Sequence, residues 1–111
     1  MKRIYNNNIA KTAEQLAISI SHDINDGCER SEKSFGLTQA EHEWLAGIGV
    51  PDLVDLQAPM NNDLFNAVVE KLAPRYYDID FSSELKMNID ISITNGVHMY
   101  YLVVDFRKCS I

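Results

Sequence analysis

Apolar positions along the chain follow two different periods, and the change from one to the other divides the sequence. Ile9, Ala13, Leu16, Ile20 and Ile24, flanked by Ala10 and Ala17, recur at steps of three or four, the spacing that lines one side of an α-helix. Asn8 stands where it can accept the first free amide hydrogens, and Gly27 where the chain turns left-handed after the last turn. A helix is therefore predicted over residues 9–25. Glu29 to Lys33 is short, polar and of mixed charge, and reads as a solvated loop ending at Phe35 and Gly36.

Thr38-Gln39-Ala40-Glu41 has the spacing of a capping box, in which the Thr hydroxyl and the Glu carboxylate each satisfy one orphan backbone amide. It predicts a second helix with Trp44, Leu45 and Ile48 on its apolar face, ended by Gly49 with Pro51 just beyond. Pro51 to Leu56 has room for one further short turn or helix. A third helix is predicted from about Asn62 to Ala73, burying Leu64, Phe65, Val68, Val69 and Leu72. Asp63 in its first turn and Lys71 in its last complement the helix dipole, and Pro74 cannot continue it.

Past Pro74 the period falls to two. Tyr77, Ile79 and Phe81 alternate with Tyr76, Asp78 and Asp80, which predicts a strand with one buried face. Leu85, Met87, Ile89, Ile91 and Ile93 then alternate without interruption against Lys86, Asn88, Asp90, Ser92 and Thr94. Asn95-Gly96 follows, the dipeptide preferred where a two-residue turn needs positive φ at both positions. A long hairpin from Leu85 to Phe106 results.

The turn fixes a register. With Thr94 opposite Val97, Ile93 faces His98, Ile91 faces Tyr100, Ile89 faces Leu102, Met87 faces Val104 and Leu85 faces Phe106. That face is almost wholly apolar, and a histidine on it is expected to be partly buried and hydrogen-bonded. The opposite face sets Lys86 against Asp105, yet carries Val97, Met99, Tyr101 and Val103 from the last strand. A strand apolar on both sides is central in its sheet or covered by another strand, a helix or a partner, so these four residues are candidate contacts with a second copy.

The order of elements predicts an α+β fold: three helices followed by an antiparallel sheet of three or more strands, a β-meander ending in the Asn95-Gly96 hairpin, with the helices packed on one face. Met1 to Tyr5 can add an edge strand. The whole chain, residues 1–111, is expected to be a single domain, since 111 residues with 46% apolar and 23% charged side chains suit one core. The start has no apolar segment of the length a signal peptide needs, and the longest apolar run, Met99 to Val104, is far short of a spanning helix. A cytoplasmic chain without membrane contact is expected.

Charge adds something that periodicity does not. The formal net charge is −6, and basic and acidic residues cancel both before Gly36 and after Glu70. Between them Glu41, Glu43, Asp52, Asp55, Asp63 and Glu70 stand without a single Lys or Arg. Such a band repels phosphate, which disfavours nucleic acid, and attracts a basic protein partner. Capping and the helix dipole explain Glu41 and Asp63 locally; they do not explain the missing cations. Trp44, on a helix beside Glu41 and Glu43, is either core or an interface anchor ringed by charge. Glu41, Glu43, Trp44, Asp52, Asp55 and Asp63 are accordingly the candidate partner-binding residues.

Candidate chemistry is sparse. His22 with Asp23, and His42 between Glu41 and Glu43, are sequence neighbours that point in different directions on a helix. A Cys28 and His22 nucleophile pair lacks a third orienting residue. Cys28 and Cys109 have neither disulfide-framework nor metal-ligand spacing, and Gly47 and Gly49 form a GxG without the rest of a dinucleotide fingerprint. No catalytic residue, metal or cofactor is expected. In size and charge the chain resembles stoichiometric inhibitors, a likeness of type carried by no particular residue. Bacterial immunity proteins against nuclease toxins, those of contact-dependent growth inhibition included, are of this kind, as are some antitoxins and phage anti-defence proteins. The expected function is to cover the basic active-site cleft of a toxin or nuclease. The alternative is a homodimeric structural or regulatory protein using the two-sided apolar strand.

Overall fold

Asn8 caps the first helix as its side chain requires: its Oδ1 accepts the Lys11 amide at 2.9 Å, and α1 runs Ile9–Asn25. The computed structural model describes residue 4 and residues 7–53 and 59–107. Within them the chain continues through β1 (Arg30–Leu37), α2 (Gln39–Gly47), α3 (Asp63–Leu72), α4 (Phe81–Glu84), β2 (Leu85–Thr94) and β3 (Val97–Arg107). Thr38 and Glu41 form the complete capping box at the start of α2, and Asn62 caps α3 by accepting the Phe65 amide at 2.8 Å.

The fold is α+β, with one antiparallel sheet in the order β1-β3-β2. This corrects the expected meander, because the first strand to appear in sequence lies beside the last. It also corrects the loop expected at Glu29 to Lys33, most of which is β1. The strand was hidden because Ser31 and Lys33, on its helix-facing side, are polar. Lys33 Nζ reaches Asp23 at 3.1 Å and Ser19 Oγ at 2.7 Å, and Ser31 Oγ donates to Asp23. A polar seam to α1 thus replaces the apolar alternation that marks a strand, and only Phe35 and Leu37 are buried as a strand pattern demands.

The second correction falls on Tyr77, Ile79 and Phe81. These residues form a turn followed by α4 rather than a strand, and Tyr77 is fully out in solvent. Ile79 and Phe81 are nonetheless buried. Local bonding settled the competition: the Ile79 amide donates to the Tyr76 carbonyl, and Asp80 caps α4 through the Ser82 amide and both the Ser82 and Ser83 hydroxyls. Those hydroxyls, Ser82 foremost, hold the Asp80 carboxyl below the usual carboxylate range. Tyr76 ties this segment back to α1, its hydroxyl donating to Asn25 Oδ1 at 2.9 Å.

The hairpin has the expected register, from Leu85 opposite Phe106 to Thr94 opposite Val97, with Asn95 and Gly96 both at positive φ. On the helix-facing side Phe35, Leu102 and Ile89 lie in one row across the three strands. With Leu16 and Ile20 of α1 and Leu64 and Val68 of α3 they form a single core. Ile4, the one described residue of the expected N-terminal edge strand, is buried in that core; the remainder of that strand, Cys109 and residues 54–56 of the expected short turn lie outside the described residues. The opposite side of the central strand carries Met99, Tyr101 and Val103 half-buried between their neighbours and Val97 exposed, and none of them belongs to the core. A strand apolar on both sides is here the central one.

Candidate partner-binding surface

The acidic residues lie on and around the connection between α2 and α3, and that connection is held by backbone contacts. Gly49 has φ +102, and a Cβ placed there would lie 3.3 Å from Asn62 Cβ, so the end of α2 abuts the cap of α3. Two residues on, the Pro51 carbonyl accepts the Ile89 amide at 2.9 Å. The Asp52 carbonyl accepts from Asn88 Nδ2 at 3.4 Å, and Met60 Sδ accepts the Met87 amide at 3.1 Å. The connection therefore closes the outer edge of β2 along its first half. It sets exposed Asp52 beside Asn88, two residues from exposed Asp90 on the same side of β2.

The candidate residues separate on inspection. Glu41 is only 3% exposed, and its carboxylate accepts the Thr38 amide at 2.7 Å; a group so occupied has no surface to offer, which removes it from the expected interface. Glu43 is exposed on α2, and Asp63, Asn66 and Glu70 are exposed on the outward side of α3, at steps of three and four. Trp44 is half-buried and packs on the core. Asp55 lies outside the described residues. Glu43, Asp52, Asp63 and Glu70 thus remain available. Asp90 joins them, a residue that charge counting missed because the cations of the last third of the sequence balance it.

The histidines and Cys28 take unexceptional positions. His42 stacks on Tyr100, the ring centroids 4.4 Å apart and the planes 14° from parallel. His98 is exposed at the end of the hairpin, as is Ile93 opposite it, which corrects the expected partial burial: both lie beyond the row at which β1 ends. His22 lines a groove of about 310 Å³ between α1 and α3, beside Glu14, Ser21, Lys71 and Arg75, and Cys28 is exposed past the end of α1. Among the described residues no group of three or more His, Cys, Asp or Glu side chains is placed to hold a metal ion. No helix among them is long and apolar enough to cross a membrane.

Comparison with protein-family models, with curated proteins and with solved structures finds no match to this chain.

Proposed function

We propose that the chain is a binding protein that neutralises a basic protein partner in the cytoplasm, in the manner of an immunity protein or antitoxin covering the nucleic-acid cleft of a nuclease toxin. The observation that carries this reading is the segregation of charge. Between Gly36 and Glu70 there is no Lys or Arg, and Glu43, Asp52, Asp63 and Glu70 of that span are exposed. Carboxylates at such a surface present to a cationic cleft the charge that a phosphate backbone would, and they accelerate encounter over long distances at low ionic strength. Glu43 and Asp52 take no part in capping, so they are the residues to change.

The test is capture of the partner from the native host followed by association kinetics with the Glu43→Lys, Asp52→Lys double variant. The expected result is a basic partner whose on-rate falls at least tenfold at low salt and much less at high salt, with folding unchanged. A captured partner bound equally well by parent and variant at low ionic strength would overturn the reading.

A further inference from the structure

The two edges of the sheet end differently. β1, on one edge, carries Arg30, Glu32 and Lys33, charges of the kind that keep an edge strand from pairing with another chain. β2, on the other, is closed at its first half by Pro51 and Met60. Its second half has neither protection among the described residues: from Ile91 to Met99 the hairpin contains no Asp, Glu, Lys or Arg, and no described residue bonds to its outer edge. Beyond the row Leu37, Tyr100 and Ile91, β1 has ended and the hairpin continues as two strands.

Strand geometry decides which backbone groups are left over. The outward amides of Met87 and Ile89 are those bonded to Met60 and Pro51. In an antiparallel ladder every second residue points the same way, and the β2–β3 register is unbroken to Thr94. The N–H and C=O of Ile91 and Ile93 therefore also point outward, and no partner for them is present among the described residues. Their side chains are exposed as well, 43% at Ile91 and 67% at Ile93. Among the described residues, backbone without a partner and exposed apolar side chain coincide at the same two positions.

We infer that this edge pairs with the same edge of a second copy, β2 against β2 antiparallel about a two-fold axis through Ser92. In that register Ile91 lies opposite the partner's Ile93, and each outward N–H and C=O of one copy meets its complement on the other. The isoleucines of both copies pack together on the helix side of a continuous six-stranded sheet, counted as two copies of the three-stranded one. On the other side Ser92 meets its own counterpart, and Asp90 meets Thr94 rather than a second Asp90, so no like charges are opposed. A two-fold contact must be self-complementary; in this register the segment Asp90-Ile91-Ser92-Ile93-Thr94 sets outward backbone groups and exposed isoleucines against their counterparts and no two charges against each other. The contact is small beside that of a permanent dimer, so association is weak and reversible. It leaves the β3 face with Val97 and Met99 unused.

Two measurements on the full chain test this. In sedimentation over a dilution series, the parent is expected to shift from monomer to dimer as concentration rises, and Ile93→Lys to weaken association at least tenfold. Ile93→Pro removes an outward N–H while leaving the bonds to β3 in place, and should be monomeric throughout. Independently, with Cys28 and Cys109 changed to Ser, Ser92→Cys should oxidise to a covalent dimer. Non-hydrogen-bonded antiparallel neighbours lie about 4.5 Å apart at Cα, within the reach of a disulfide. Thr94→Cys in the same background should cross-link at least tenfold more slowly. A parent that stays monomeric at every concentration, as an edge awaiting the strand of a different protein would, or equal cross-linking of the two cysteine variants, overturns the proposal.

Discussion

The base and the tip of the β2–β3 hairpin carry the same alternation and meet opposite fates. Leu85, Met87 and Ile89 are at most 1% exposed, whereas Ile91 and Ile93, next in the same series, face solvent. At the base three strands lie under α1 and α3, and the outer edge is closed by Pro51 and Met60. At the tip β1 has ended, and the outward amides meet no partner among the described residues. Alternation states that a segment is a strand with one apolar side; it does not state what covers that side. An apolar row that outruns its own core is material for binding rather than for stability.

Equal substitutions at the two ends give the widest separation. Ile89→Ala opens a cavity in a closed core and is expected to cost about 2–5 kcal/mol, whereas Ile93→Ala in the dilute chain should stay within about 0.5 kcal/mol. Denaturant titration of both variants checks this, and comparable losses would break the distinction between base and tip. Glycines sharpen it next. Gly96 and Gly49 both hold positive φ, but a Cβ at Gly96 meets open space while one at Gly49 presses on Asn62. Gly96→Ala should cost about 1–2 kcal/mol from backbone conformation alone, and Gly49→Ala should cost more, since it also pushes the cap of α3 away from the end of α2. Thermal unfolding of the two variants gives the order.

The predicted elements that stood were those whose signals are local. Asn8, the Thr38 to Glu41 box and Asn95-Gly96 each determine geometry within a few residues, so α1, α2 and the hairpin register were legible. β1 was not, because what makes it a strand is its pairing with β3 and a polar seam to Asp23, both distant in sequence. Ile79 and Phe81 misled for the converse reason: a true burial pattern was satisfied by a turn and a short helix once Asp80 supplied a cap. The acidic band was legible as composition, but which of its members reach solvent was not, since Glu41 is drawn into its own helix cap.

That last division yields a smaller effect. Glu41→Ala should lower stability by about 1 kcal/mol through loss of the reciprocal cap, and Glu43→Ala, two residues away, should leave it unchanged in the same unfolding measurement. Smaller still is the acid response of α4. The Asp80 carboxyl is held below its ordinary range by Ser82 and Ser83, so its contribution is present above the unfolded value. It is lost as pH falls through the lower folded value. The stability difference between parent and Asp80→Asn should therefore shrink below about pH 4.

The contrast between base and tip is read most directly in one experiment, amide hydrogen exchange at Met87, Ile89, Ile91 and Ile93 across a dilution series. Met87 and Ile89 are expected to be protected at every concentration, because Met60 and Pro51 of the same chain hold them. Ile91 and Ile93 should exchange rapidly when the protein is dilute and slow as it is concentrated, as a second copy takes up their outward amides. Protection of Ile91 and Ile93 equal to that of Ile89 in dilute solution, or rapid exchange that concentration never slows, would contradict it.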